Sequence, residues 1–146
     1  MNYETAFNYY ARNSHLYSFS FSDELGKLGN QAIEILIDFK ELQLIWAKEN
    51  NVKFDNKNWR GEILFSQINK IKPDIIYFQS HEYLKMESLF DIRKNENTIL
   101  ALKREFNFIK KIIVYSGYPC ESRLVLGADI VFYSPPSSEK NYKGAA

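Results

Sequence analysis

Cysteine is nearly absent from this chain. Cys120 stands alone among 146 residues, which excludes an intramolecular disulfide and any CxxC metal or redox pair. Two histidines, His15 and His81, are too few for a structural zinc site, so neither a metal nor a cofactor is expected. An excess of either charge is missing too, with 19 Lys and Arg against 18 Asp and Glu. That balance offers nothing to nucleic acid or to an anionic membrane, which need a basic excess or patch. The runs Lys70-Ile71-Lys72 and Lys110-Lys111 are short and read as solvated strand and helix ends. No apolar run approaches the ~20 residues of a membrane span. Met1-Asn2-Tyr3-Glu4 has neither the basic nor the apolar region of a signal peptide, and a cytoplasmic location is expected. No GxGxxG or GxxxxGK phosphate loop occurs. Gly26-Lys27-Leu28-Gly29 precedes an apolar run instead of following a strand, so Gly29 is assigned to helix capping.

What remains is enough for a core. Hydrophobic residues make up 45% of the chain, near the globular average, and the length suits one domain. Tyr3 to Leu16 places Phe7, Tyr10 and Ala11 on one helical face. A second helix is expected from Ser22, with Leu25 and Leu28 inward and Gly29 as its stop. Ala32 to Ile37 reads as a buried strand, and Lys40 to Asn50 as a helix with Leu42, Ile45 and Trp46 on one side. From Trp59 to Lys72 a further helix should bury Ile63, Ile68 and Ile71, with Gln67 and Asn69 facing away. Pro73 ends it. Asp74 to Gln79, Lys111 to Tyr115 and Ala128 to Tyr133 read as three more strands. Thr98 to Phe108 reads as helix, and Ser137-Ser138-Glu139 as the start of another. Short, continuously apolar strands alternating with helices predict an α/β fold: about four mostly parallel strands with helices on both faces, residues 1–146 forming a single domain.

In an open parallel sheet, ligands bind beyond the carboxyl ends of the strands. That rule selects Ser80-His81-Glu82, Ser116-Gly117-Tyr118 and Ser134-Pro135-Pro136. His81 titrates near neutrality and is the candidate general base, with Glu82 second. Ser80, Ser116, Gly117, Tyr118 and Ser134 are the candidate substrate-binding residues. Cys120 shows no oxyanion feature or nearby partner in the sequence and is read as a structural or incidental thiol.

Several stretches together carry a resemblance. They are Ser18-Phe19-Ser20-Phe21-Ser22-Asp23-Glu24-Leu25, Leu28-Gly29-Asn30-Gln31-Ala32, Leu42 to Glu49, Ile63 to Gln79 with its Lys72-Pro73-Asp74, and Ala128 to Pro135. In this order they resemble the N-terminal lobe of bacterial GT-B glycosyltransferases of the CgeB-like group. The resemblance covers most of the chain. It implies a Rossmann-like three-layer α/β/α lobe on the acceptor side of a nucleotide-sugar-dependent enzyme. The partners it implies are a C-terminal nucleotide-sugar-binding lobe and a sugar or glycan acceptor. Such lobes usually open on an apolar strand, whereas this chain opens in a helix, and nothing in it corresponds to the donor lobe. Activity is therefore expected only with that second lobe. The alternative is a non-catalytic, flavodoxin-like binding or protein-interaction module. Its receiver and cobalamin-binding variants lack their motifs here, because Asp38 alone follows the first predicted strand and no DxHxxG occurs.

Overall fold

The computed structural model describes residues 1–13, 20–85 and 97–134, which divide into two units, Met1–Lys53 and Phe54–Ala146. The predicted continuation of the first helix to Leu16, the helix start at Ser137-Ser138-Glu139, and Pro135-Pro136 lie outside the described residues.

The first unit is helical. Helices α1 (Tyr3–Asn13) and α3 (Lys40–Glu49) pack around Ala6, Leu36 and Leu42, with Tyr3, Phe7, Tyr10, Phe39 and Ile45 closing over them. Between them α2 (Ser20–Lys27) ends where the sequence predicts. Gly29 takes a φ of 83°, its N–H bonds Gly26, and the Asn30 N–H reaches back to the Leu25 carbonyl. A left-handed residue at that position is what glycine supplies without strain. Leu28, expected inward, is 78% exposed because the helix has already closed at Lys27.

Ala32–Ile37 is not a strand. The described residues of this unit offer no second strand to complete a ladder, so the backbone groups are met by turns. The Ile37 N–H bonds the Ile35 carbonyl, the Phe39 N–H bonds the Leu36 carbonyl, and the buried Gln43 side chain donates to the same Leu36 oxygen at 2.9 Å. Leu36 and Ile37 are buried as apolar residues require, while Ile33 is left exposed.

In the second unit, α4 (Trp59–Ile71) buries Ile63, Leu64 and Ile68. Gln67, expected outward, is also buried, since it sits four residues after Ile63 and three after Leu64 in the middle of the apolar stripe. Helical period outranks polarity at that position. Lys72 stops the helix in the left-handed region, just ahead of Pro73.

Among the described residues three strands form the sheet, one fewer than expected: β1 (Ile75–Phe78), β2 (Lys111–Ser116) and β3 (Ile130–Tyr133). They are parallel in the order β1-β2-β3, with Phe78 opposite Val114 and Ser116 opposite Tyr133. Asp129 sets the start of β3. Its N–H bonds the Ile112 carbonyl, its carboxylate accepts the Ile112 N–H at 2.8 Å, and Lys103 holds it from the side. Helix α5 (Thr98–Glu105) joins β1 to β2 and is shorter than predicted, because Phe106 leaves the helix to stack on Phe108 and meet the tilted ring of Phe65. A single turn, α6 (Ser122–Val125), joins β2 to β3.

Both crossovers step in the same direction across the sheet. Right-handed connections then place α5 and α6 on one face. Burial agrees with this. Phe78, Ile112, Val114 and Ser116 share a face and are buried, whereas Ile75, Tyr115, Ile130 and Phe132 on the other are 37 to 55% exposed. Among the described residues the sheet is therefore covered on one side, not on the two that were expected.

Candidate functional site

The carboxyl ends of β1 and β2 bring together most of the predicted residues. Directly after β1, Ser80 caps a 3₁₀ turn spanning His81–Leu84 by accepting the Glu82 N–H on its hydroxyl. Its role is to shape the turn. That turn packs against β2 and α6 and presents His81 inward, with only 1% of the residue exposed. Burial of so polar a ring demands partners on both nitrogens. Ser116, the last residue of β2 and itself fully buried, lies 2.7 Å from Nδ1. Glu82 Oε1 lies 3.3 Å from Nε2. The Tyr118 ring meets the imidazole edge-on at 4.5 Å between centroids, and its hydroxyl donates to Glu82 Oε1 at 2.8 Å. Ser116 completes the circuit by donating to the Tyr118 carbonyl at 2.7 Å.

His81, Glu82, Ser116 and Tyr118 thus form a closed ring that ties the loop after β1 to the loop after β2. His81 and Ser116 are its buried half. Glu82, with 40% of its side chain exposed, and Tyr118, half exposed, are the half that meets solvent.

Two further residues join the ring that no motif selected. Lys85 places its ammonium 2.8 Å from both Glu82 carboxylate oxygens. Its spacing of three from Glu82 is the only signal the sequence held. Arg60, on α4, donates to the Glu82 carbonyl across 22 residues, with no local signal at all. Ser134 and Gly117 stand apart from the ring. Ser134 shares a 2.6 Å hydrogen bond with the Tyr115 hydroxyl and joins the ends of β2 and β3. A side chain at Gly117 would meet only the Tyr115 ring at ordinary contact distance, so nothing there requires a glycine. Cys120 is half-buried and in no disulfide, and among the described residues no group of His, Cys, Asp and Glu is placed to hold a metal.

The electrostatics follow from these contacts. Burial lowers the His81 pKa, Glu82 pushes it back up, and Lys85 lowers it further. Hydrogen bonds from Lys85 and then Tyr118 hold the Glu82 carboxyl below its ordinary range. The same Glu82 bond raises the Tyr118 phenol. A histidine with a depressed folded pKa contributes stability that is complete above its ordinary 6.5 and declines as pH falls below it. Glu82 acts in the same sense below its ordinary 4.5. The midpoint of urea unfolding should accordingly fall between pH 7.5 and 5.5, and His81→Gln should flatten that fall. An unchanged slope in the variant would remove His81 as its source.

No family model, curated protein or solved structure matches this chain. The site therefore has to be read from its own chemistry. An exposed carboxylate held ionised beside an exposed aromatic ring and an ammonium is a surface suited to polar, hydroxyl-bearing molecules. His81, being buried, supports that surface through its contacts with Glu82 and Tyr118.

Proposed function

We propose that this chain contributes the acceptor-side lobe of a nucleotide-sugar-dependent glycosyltransferase, with Glu82 and Tyr118 receiving the acceptor hydroxyl. The observation that carries the reading is the Glu82–Tyr118–Lys85 surface at the carboxyl ends of a parallel sheet, the place where open α/β sheets bind ligands. A carboxylate accepts hydroxyl protons, and an exposed phenol ring offers an apolar face to the C–H surface of a sugar. Transfer with inversion needs a base on the acceptor side. Glu82 is the accessible group, and His81 stands behind it. The donor diphosphate is left to helix N-termini and cations of a second lobe.

The test is amide-resolved NMR titration of the chain with simple hexoses and with UDP-, GDP- and TDP-sugars. Millimolar hexose should shift the amides of residues 80–85 and 116–118, and Glu82→Gln or Tyr118→Ala should weaken that binding about tenfold, or ~1.4 kcal/mol. Micromolar binding of a nucleotide-sugar by this chain would overturn the division of labour between lobes. If no sugar moves these amides, the acceptor reading fails.

A second reading, a non-catalytic binding or interaction module, is favoured by one observation. The two ring nitrogens of His81 face protein groups, Ser116 at 2.7 Å and Glu82 at 3.3 Å, as befits a clamp between two loops. Under that reading His81→Gln costs stability, and no sugar binds.

A further inference from the structure

Ser116 Oγ lies 2.7 Å from two atoms of opposite character, the Tyr118 carbonyl oxygen and His81 Nδ1. A carbonyl oxygen can only accept, so the single hydroxyl proton of Ser116 goes to Tyr118. The serine then turns lone pairs toward Nδ1, and the imidazole has to bring the proton of that bond. A neutral imidazole carries one N–H, which leaves Nε2 with a lone pair directed at the Glu82 edge. The separations agree with this. The Nδ1 contact is short, while the 3.3 Å from Nε2 to Glu82 Oε1 exceeds the ~2.7–2.9 Å of a charge-assisted N–H to carboxylate bond.

We propose that Ser116 is a positioning residue that fixes neutral His81 as its Nδ1–H tautomer and so makes Nε2 the proton-accepting atom of the strand-end ring. Its use in transfer chemistry rests on the acceptor-lobe reading, but the tautomer itself does not. A proton taken up at Nε2 forms an N–H bond facing the Glu82 carboxylate, and the resulting imidazolium sits against an anion with the Ser116 contacts unchanged. Among the described residues, Glu82 and Lys85 on its own turn bear on this equilibrium directly, while Tyr118 on the loop after β2 and Arg60 on α4 bond Glu82. Helix α6, which packs on the turn, carries Arg123, bonded to Glu121. Burial opposes charging of the ring and keeps it neutral at neutral pH, so the lone pair is available there.

The experiment is ring-nitrogen NMR of the ¹⁵N-labelled chain across pH, with His81→Gln assigning the signals against the chain's other histidine, His15. Wild type at neutral pH should show Nδ1 protonated and Nε2 bare. In Ser116→Ala the ring should switch to the Nε2–H form, donating to Glu82, whereas Ser116→Thr, which keeps the hydroxyl, should retain Nδ1–H. Tyr118→Phe should leave the tautomer alone, because Ser116 bonds the Tyr118 backbone. Glu82→Gln should lower the His81 pKa through loss of the facing charge. An Nε2–H ring in wild type, or an unchanged tautomer in Ser116→Ala, would overturn the assignment. Hexose binding that fails while the tautomer holds would remove the acceptor-lobe reading and leave this one standing.

Discussion

Asn97→Ala should lower the unfolding free energy of the second unit by about 3 kcal/mol in urea denaturation, a large effect for one polar side chain. The residue works in two directions. Its Oδ1 accepts the Leu100 N–H and caps α5. Its Nδ2 donates to the carbonyls of Arg123 at 2.6 Å and Leu126 at 2.9 Å, holding the end of α6 against the start of α5. Asn97 is 7% exposed, so water cannot easily replace these bonds. Losing an N-cap costs about 1 kcal/mol, and each carbonyl that loses its donor adds about 1 more. Asn97→Ser separates the two halves, restoring the cap acceptor alone and recovering about 1 kcal/mol. Full recovery by serine would mean that the α6 contacts contribute nothing.

Ile112→Ala should cost about 3 to 4 kcal/mol, and its neighbour Ile113→Ala less than about 1.5. Ile112 is fully buried in the central strand, on the face covered by helices. Ile113 points the other way, toward the face where Ile130 and Phe132 are exposed. Truncation of the first leaves a cavity among packed side chains, whereas truncation of the second removes partly solvated area. Successive residues of one strand thus report the two sides of the sheet. Equal losses would show that both faces are packed.

The last three predicted strands were legible because each is a short apolar run bounded by Pro, Gly or a charged residue, as at Pro73 and Ser116-Gly117. Ala32–Ile37 has the same composition and is no strand, since a ladder needs a neighbour and helices α1 and α3 bury its Leu36 without one. Composition records the demand for burial, not what satisfies it. Gln67 shows the converse, a polar residue carried inward by helical period. For the site, the strand-end rule selected the loops after β1 and β2, where His81, Glu82, Ser116 and Tyr118 lie in contact. Their ring depends on parallel register bringing Ser116 to a residue 35 positions away, which no local pattern encodes. Exposure was equally illegible. The histidine singled out for its pKa is buried, and the glutamate beside it carries the accessible charge.

The one-sided covering of the sheet has an architectural consequence. Among the described residues β1 is an edge, and every connection so far has advanced away from it. A strand added in parallel beside β1 by a chain returning past β3 would reverse that direction. By the right-handed rule its connecting helix would come down over Ile75, Tyr77, Ile113 and Tyr115. The point of reversal would fall between the new strand and β1. Doubly wound sheets open their ligand crevice at such a point, and Ser80, His81 and Glu82 would form its floor.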